Sequence, residues 1–258
     1  MFQNIYPLFE PKSLLKREML ENLRDYPRDL FQILYQDYSN GILTGCELVV
    51  RDERLFIRPG ILYYNKIPYL LRKEWMLNLE APGRLTYLKV KFPDKASGIG
   101  QEEYLSQIYL DENEPDLRCE LELARFKLQQ GSRLRDTYTD FFDFDTEFDT
   151  LNRIHAPYAS PERSSISPVI LRSYAEALMQ YPLRSPWDYP FCINCMQMRQ
   201  PMPYRAVSAY LDRRMGQNKR DYSNGEIYHL LRHILRETQG DDQSSGSVKT
   251  GERKLLLI

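Results

Sequence analysis

From Leu14 onward the apolar residues Leu14, Leu15, Met19, Leu20 and Leu23 recur at three- and four-residue steps, which places them on one face of an α-helix. Ser13 stands where an N-cap is needed. Pro27 interrupts the run and Leu30, Phe31, Leu34, Tyr35 and Tyr38 resume it, so residues 13–38 predict a kinked amphipathic helix with a charged outer face. At Asn40-Gly41, a turn signal, the period drops to two. Leu48 to Ile57 alternates around a hairpin at Asp52-Glu53, and Pro59-Gly60 punctuates a further run from Ile61 to Leu71. Strands also follow at Leu85–Phe92, Tyr104–Leu110 and Leu117–Leu128, where β-branched, aromatic or leucine residues take alternate positions. Five or six short strands in one block predict a small antiparallel sandwich or barrel.

After Arg135 the pattern changes again. Tyr138 to Asp149 alternates acids and aromatics without a basic residue, and in an extended chain Phe142, Phe144 and Phe148 fall opposite Asp143, Asp145, Glu147 and Asp149. This predicts a strap, apolar on one side. Pro157, Pro161 and Pro168 lead into helices at 168–181, 204–215 and 225–237, with starts at Ser167-Pro168 and Asn224-Gly225. From Gly240 to Arg253 few residues are apolar, which predicts disorder. The expected class is α+β: an N-terminal amphipathic helix, a small antiparallel β sandwich or barrel-like module, and a helical C-terminal region. In residue terms these are a helical lead (1–38), a β-rich module (39–135), an acidic-aromatic strap and linker (136–165), a helical region (166–238) and a disordered tail (239–258). Asp-Tyr-Ser-Asn-Gly occurs at both 37–41 and 221–225, but one copy leads into a strand and the other into a helix, so turn chemistry accounts for it better than a repeat.

The chain has 258 residues, 42% of them hydrophobic and 28% charged, with a formal net charge of -1, which is the balance of a folded, soluble protein. Charge therefore names no partner. The N-terminus has no basic region leading into an apolar stretch, and no window reaches about 18 uncharged apolar residues, so neither a signal peptide nor a membrane span is expected. Four cysteines then stay reduced, in keeping with a cytoplasmic protein. A surplus of 19 Tyr over 2 Trp supplies semi-polar contact surface suited to protein partners.

Three constellations compete with a purely structural reading. Cys192 and Cys195, together with His229 and His233, have step sizes that suit tetrahedral zinc, but the long gap from Cys195 to His229 and the placing of both histidines opposite the apolar stripe of their helix argue against it. Asp143, Asp145, Glu147 and Asp149 could offer oxygen ligands to calcium, yet the loop lacks a turn glycine. The stretch 199–236 interleaves basic residues with Tyr204, Tyr210, Tyr222 and Tyr228, which raises nucleic-acid binding as the alternative function. Scattered charge on short helices explains the same residues, so nucleic acid is not the favoured partner. No Gly-rich phosphate loop and no nucleophile motif beside His155, His229 or His233 is present, and no catalytic role, cofactor or metal is expected.

Two stretches carry a resemblance. Gly41-Ile42-Leu43-Thr44-Gly45-Cys46-Glu47-Leu48-Val49-Val50, followed by Leu55 to Tyr69 with its Pro59-Gly60, resembles the β-module of baseplate and tail-fibre attachment proteins of phage tails and related contractile injection particles. Glu122 to Arg135 is similar to the strand and turn that close that module. Lys66 departs from the pattern, standing where such modules commonly carry a glycine turn. Residues Gly41, Gly45, Pro59 and Gly60 are the expected structural turns. The resemblance implies an attachment role, as a structural or adaptor subunit of a phage-tail-like or contractile injection assembly, and brings no catalytic residue. On this reading the partners are protein subunits of a larger assembly, with self-association compatible, and Leu20, Leu23, Phe31, Phe142, Phe144 and Phe148 are the expected partner-binding residues.

Overall fold

The computed structural model describes residues 4–5, 7–9, 11, 14–93, 103–218 and 221–245. Helix α1 (Arg17–Leu34) runs through Pro27 and is entered from Lys16 without a side-chain cap; the expected cap, Ser13, lies outside the described residues. Nine strands follow among the described residues, grouped in three sheets of three. The first joins β1 (Gly41–Gly45), β4 (Gly60–Tyr64) and β5 (Ile67–Leu71) in the order β1-β4-β5. The second joins β2 (Leu48–Arg51), β3 (Arg54–Ile57) and β6 (Trp75–Asn78) in the order β2-β3-β6. In the third, β7 (Leu85–Lys91) is central between β8 (Gln107–Asp111) and β9 (Glu120–Lys127). Every pair within these sheets is antiparallel.

Two of the hairpins turn on two residues that both have positive φ, Asp52 (49°) and Glu53 (58°), then Asn65 (49°) and Lys66 (64°). A turn of that handedness matches the twist of the strands it joins. The run from Ile61 to Leu71 is therefore two strands, with Lys66 taking the left-handed position that favours glycine. Gly45 (φ +66°) and Gly60 pack back to back: a Cβ on Gly60 would fall 2.7 Å from the Thr44 carbonyl oxygen and still closer to the Cys46 backbone nitrogen. Only a bare backbone fits between these strands.

The sheets enclose one core, in which Leu55, Ile57, Leu88, Val90 and Phe126 are almost wholly buried. Lys89 reaches into the third sheet with 2% of its side chain exposed and is matched by Asp111 at 2.7 Å, Glu120 at 3.1 Å and the Asn113 carbonyl at 3.1 Å. A second core belongs to the helices: α2 (Pro168–Leu178), α3 (Asp188–Gln197), α4 (Tyr204–Met215) and α5 (Asn224–Ser245). Between its helices the Phe191 and Tyr210 rings stack at 3.8 Å, and the Tyr174 and Tyr210 hydroxyls lie 2.6 Å apart. Helix α5 continues to Ser245, past the point where a disordered tail was expected; residues 246–258 lie outside the described residues.

Helix α3 falls in a stretch for which the pattern predicts no element. It is apolar on both sides, with Phe191, Cys192 and Cys195 buried and Tyr189, Ile193 and Met196 exposed, so no single periodic stripe marks it.

The segment 135–165 ties the two cores together. Arg125 and Asn152 exchange backbone hydrogen bonds at 2.9 and 2.8 Å, while Ile42 donates to the Pro157 carbonyl at 2.8 Å and Ala159 donates to that of Ile42 at 2.9 Å. Leu151 and Ala156 fill the β core, whereas Phe141, Phe144 and Ile154 fill the helical core. Asn224, at the start of α5, donates to the Ala156 carbonyl at 3.1 Å and so fixes the helix start against this segment.

Candidate interaction surface

None of the 18 residues of α1 is buried. Leu20, Leu23, Leu30, Ile33 and Leu34 are each about half exposed or more, with Leu20 at 50% and Ile33 at 65%. The helix is held at its C-terminal end, where Phe31, Tyr35 and Tyr38 pack on Tyr63, Leu43 and Ala159. Phe31 lies 4.6 Å from the Tyr35 ring and 6.2 Å from that of Tyr63, so this expected partner-binding residue is half committed to the chain's own fold. Toward its N-terminal half, Ile5 and Pro7 line a hollow with Met19, Asn22 and Tyr26. An isolated helix of this length is marginal in water, and its apolar stripe is uncovered over most of its length.

The acidic-aromatic segment is not an extended strap. Phe141–Asp145 forms a 3-10 turn, which points Phe141 and Phe144 inward, each 1% exposed. Phe144 stacks on Tyr138 at 3.8 Å, and Phe141 lies 5.0 Å from Tyr228. Phe144 is thus spent in the chain's own core and is withdrawn as a partner-binding residue. Phe142 is half-buried, with the Arg232 and Arg236 guanidinium groups 5.8 and 5.3 Å from its ring centre, and Phe148 faces the Lys127 ammonium at 4.7 Å. The turn forms because Asp140 accepts backbone hydrogen bonds from Phe142 (2.8 Å) and Asp143 (3.1 Å). A period of two in the sequence concealed a local cap.

The same geometry answers the calcium reading. Asp143 is gripped by Arg135 and also accepts from the Thr139 backbone at 2.9 Å and the Thr146 hydroxyl at 2.7 Å. Arg135 holds its carboxyl well below the usual carboxylate range. Asp145 instead faces Arg232 at 3.1 Å, and Glu147 faces Lys127 at 3.2 Å, so three of the acids are matched to three different cations rather than to one centre. Cys192 and Cys195 are wholly buried in the helical core; burial pushes the Cys192 thiol up to about 12 and the Cys195 thiol higher still. His233 pairs with Glu237 at 3.3 Å on the exposed side of α5. Among the described residues no group of three or more His, Cys, Asp or Glu side chains is arranged to hold a metal ion.

Single-strand binding by base stacking on the tyrosines of 199–236 would need those rings on the surface. Tyr204, Tyr210, Tyr222 and Tyr228 are all buried, none more than 5% exposed. Of the basic residues there, Arg205 is paired with Glu162, Arg214 with Asp188 and Arg232 with Asp145. The tyrosines of the interleaved pattern are therefore core residues and offer no surface for bases to stack on. Asp188 itself is 1% exposed, and its carboxyl is raised by burial even though Arg214 and the Tyr210 hydroxyl face it, which marks a structural pair inside the helical region.

A further apolar surface, unmarked by the sequence pattern, lies on the outer face of α3, where Trp187, Tyr189, Ile193 and Met196 are each at least 40% exposed. Its signal in the sequence is the doubling of apolar positions on both sides of one short helix. Among the described residues no helix is long and apolar enough to cross a membrane.

No protein-family model matches the sequence, and no curated protein matches it. Solved structures similar to it at a distance include the following. A chain of the type VI secretion system TssK-TssF-TssG baseplate subcomplex, seen by cryo-electron microscopy, aligns with 91% of this chain and 100% of its own length at 9% identity and a TM-score of 0.40. The crystal structure of TssK aligns with 90% of this chain and 72% of its own length at 10% identity and a TM-score of 0.42.

Proposed function

We propose that this chain is a structural or adaptor subunit of a phage-tail-like or contractile injection assembly, attached at a baseplate or fibre through protein–protein contacts and without catalysis of its own. The observation that carries the reading is α1, an amphipathic helix none of whose residues is buried and whose stripe of Leu20, Leu23, Leu30 and Ile33 stands open. Apolar surface left in that state costs free energy that a partner recovers on docking. Phe31, at the root of the helix, would steady it when a partner binds, and Phe142 and Phe148 belong to a secondary contact beside basic side chains. The module behind the helix supplies the resemblance to baseplate and fibre attachment modules in Gly41–Tyr69 and Glu122–Arg135. Support comes from these surfaces and that module, not from the two distant likenesses. On this reading the chain is made in the cytoplasm and joins a particle there.

The test is isolation of native particles from the source organism carrying a tagged chain, either wild type or with Leu20→Asp and Leu23→Asp together. Wild type is expected to co-purify with large protein assemblies, and the double variant to remain in the low-mass pool while keeping its circular dichroism spectrum. If wild type occurs in no particle, or the double variant enters particles as well as wild type does, the reading is wrong.

A further inference from the structure

Helix α3 turns a face to solvent that carries no charge. Its one charged residue, Asp188, is 1% exposed and faces Arg214 inside the helical core. Tyr189, Ile193 and Met196, at steps of four and three, form an apolar ridge in which each residue is between 40% and 52% exposed, and the exposed positions beside it are Pro190, Asn194 and Gln197. Trp187, the residue before the helix, is 48% exposed and lies under the Arg213 guanidinium at 5.6 Å. A helix whose outer side meets only water normally carries charged residues there. This one is built on that side as if for cover.

The composition is that of a contact centre. Trp, Tyr, Met and Arg gather in the middle of protein–protein interfaces, where acids and lysine are scarce. All four types are present on and beside α3, and from Ala177 to Leu211 the one acidic residue is the buried Asp188. Four large side chains of roughly 200 Å² each, a little under half exposed, leave about 350 Å² of apolar surface. A standard interface takes about 800 Å² from each partner, somewhat over half of it apolar. The face of α3 thus supplies most of the apolar centre of one such contact.

The charges around the face select its occupant. Arg199 follows the helix by two residues and Arg213 stands beside its start; both are exposed, and among the described residues no acid pairs with either. A second copy of this chain laid on the same face would bring Arg199 of one molecule toward Arg199 or Arg213 of the other, whether the two helices run parallel or antiparallel. Like charges then meet at the rim. Acidic residues on a partner meet the same two arginines favourably, and the ridge spacing of four and three is one into which the side chains of another helix pack. We infer that the outer face of α3 docks a partner protein through an amphipathic helix that has an apolar stripe and acidic flanks. This surface is not that of α1, and the inference does not depend on what α1 binds.

Two synthetic helical peptides of about five turns test it, each with leucine at alternating three- and four-residue steps, one with glutamate and the other with lysine at the flanking positions. Each is titrated into the full chain carrying Trp75→Phe, so that Trp187, the other of the two tryptophans, reports binding by its emission. The glutamate peptide is expected to move that emission to shorter wavelength and to bind at least about tenfold more tightly than the lysine peptide. Ile193→Glu, at an exposed position, should weaken it at least about tenfold with an unchanged circular dichroism spectrum, and Arg199→Glu with Arg213→Glu should abolish the preference for glutamate. Leu20→Asp with Leu23→Asp should change none of this, which separates the contact from that of α1. The inference is overturned if neither peptide binds, if both bind alike, if Ile193→Glu binds as the parent chain does, if the preference survives loss of the two arginines, or if the changes in α1 remove binding. It is overturned as well if Ile193→Glu abolishes self-association of the chain seen without peptide, or abolishes its capture by vesicles of phosphatidylcholine and phosphatidylglycerol in equal parts, since a second copy or a lipid surface is then the occupant.

Discussion

The Asp143 carboxylate sits in the fork of the Arg135 guanidinium, each oxygen 3.1 Å from a separate nitrogen, and so locks the start of the connecting segment onto its 3-10 turn. The carboxyl is 9% exposed and the guanidinium 40%, so solvent screens the pair on one side only. Replacing Asp143 by Asn is expected to cost about 2 kcal/mol at neutral pH, less than a fully buried pair would cost. Because the folded carboxyl titrates below its unfolded value, its contribution is complete above the ordinary carboxylate range and is lost as pH falls through that range toward the folded value. Urea midpoints of wild type and Asp143→Asn should therefore differ clearly at pH about 7 and converge toward pH about 2.

Phe144 and Phe142 are two residues apart and have opposite fates. Phe144→Ser opens a cavity beside Tyr138 in the helical core and should cost about 3–5 kcal/mol. Phe142→Ser loses half-buried packing and two cation contacts, worth about 1 kcal/mol. Thermal unfolding of the two variants separates them; equal losses would mean that the turn does not aim the rings as described.

These two rings also show where sequence reading succeeds and where it stops. Elements whose period is carried by one face were legible: α1, the β2–β3 hairpin, β7, β9, α2 and α4 all follow from spacing. Phe144 was misplaced because a side-chain cap from Asp140 converts an alternating pattern into a helical turn, and hydrophobicity does not encode that. The β4–β5 hairpin was hidden by Lys66, a poor advertisement for a left-handed turn, and α3 by the presence of apolar residues on both its faces. The open stripe of α1 was readable as a stripe, but its exposure was not, since nothing local says whether a module will cover it.

Lys66 holds φ +64° at the second position of its turn, where a Cβ is strained. Lys66→Gly should be neutral or raise stability by up to about 1 kcal/mol, the relief outweighing the entropy that glycine adds to the unfolded chain. Gly60→Ala should do the reverse by more than about 3 kcal/mol, since the new methyl meets backbone that cannot move aside. Chemical denaturation of both variants reads the contrast.

Cys46, Cys192 and Cys195 are buried, and burial raises all three thiols, whereas Cys119 is half exposed. An aromatic disulfide reagent at neutral pH should therefore modify Cys119 promptly in the native protein and the other three only at the rate of unfolding. Prompt modification of Cys192 or Cys195 would mean that the helical core opens locally. Cys192→Ser should cost about 1–3 kcal/mol, as expected for an unpartnered hydroxyl in an apolar site.

The root of α1 is pinned on two sides, by Phe31 and Tyr35 against Tyr63 of β4 and, just beyond, by Ser39 and Glu162 donating to Ser160 and Asp37 respectively. Seen mechanically, a pull along α1 does not peel one strand from a sheet. It divides at Tyr38: one branch enters β1 and the sheet behind it, and the other enters residues 158–162 and passes to the helices. Tension is thus shared between parallel branches, with hydrogen bonds loaded together rather than in sequence. Under an optical trap the chain should give way in a single large step, not as two smaller ones.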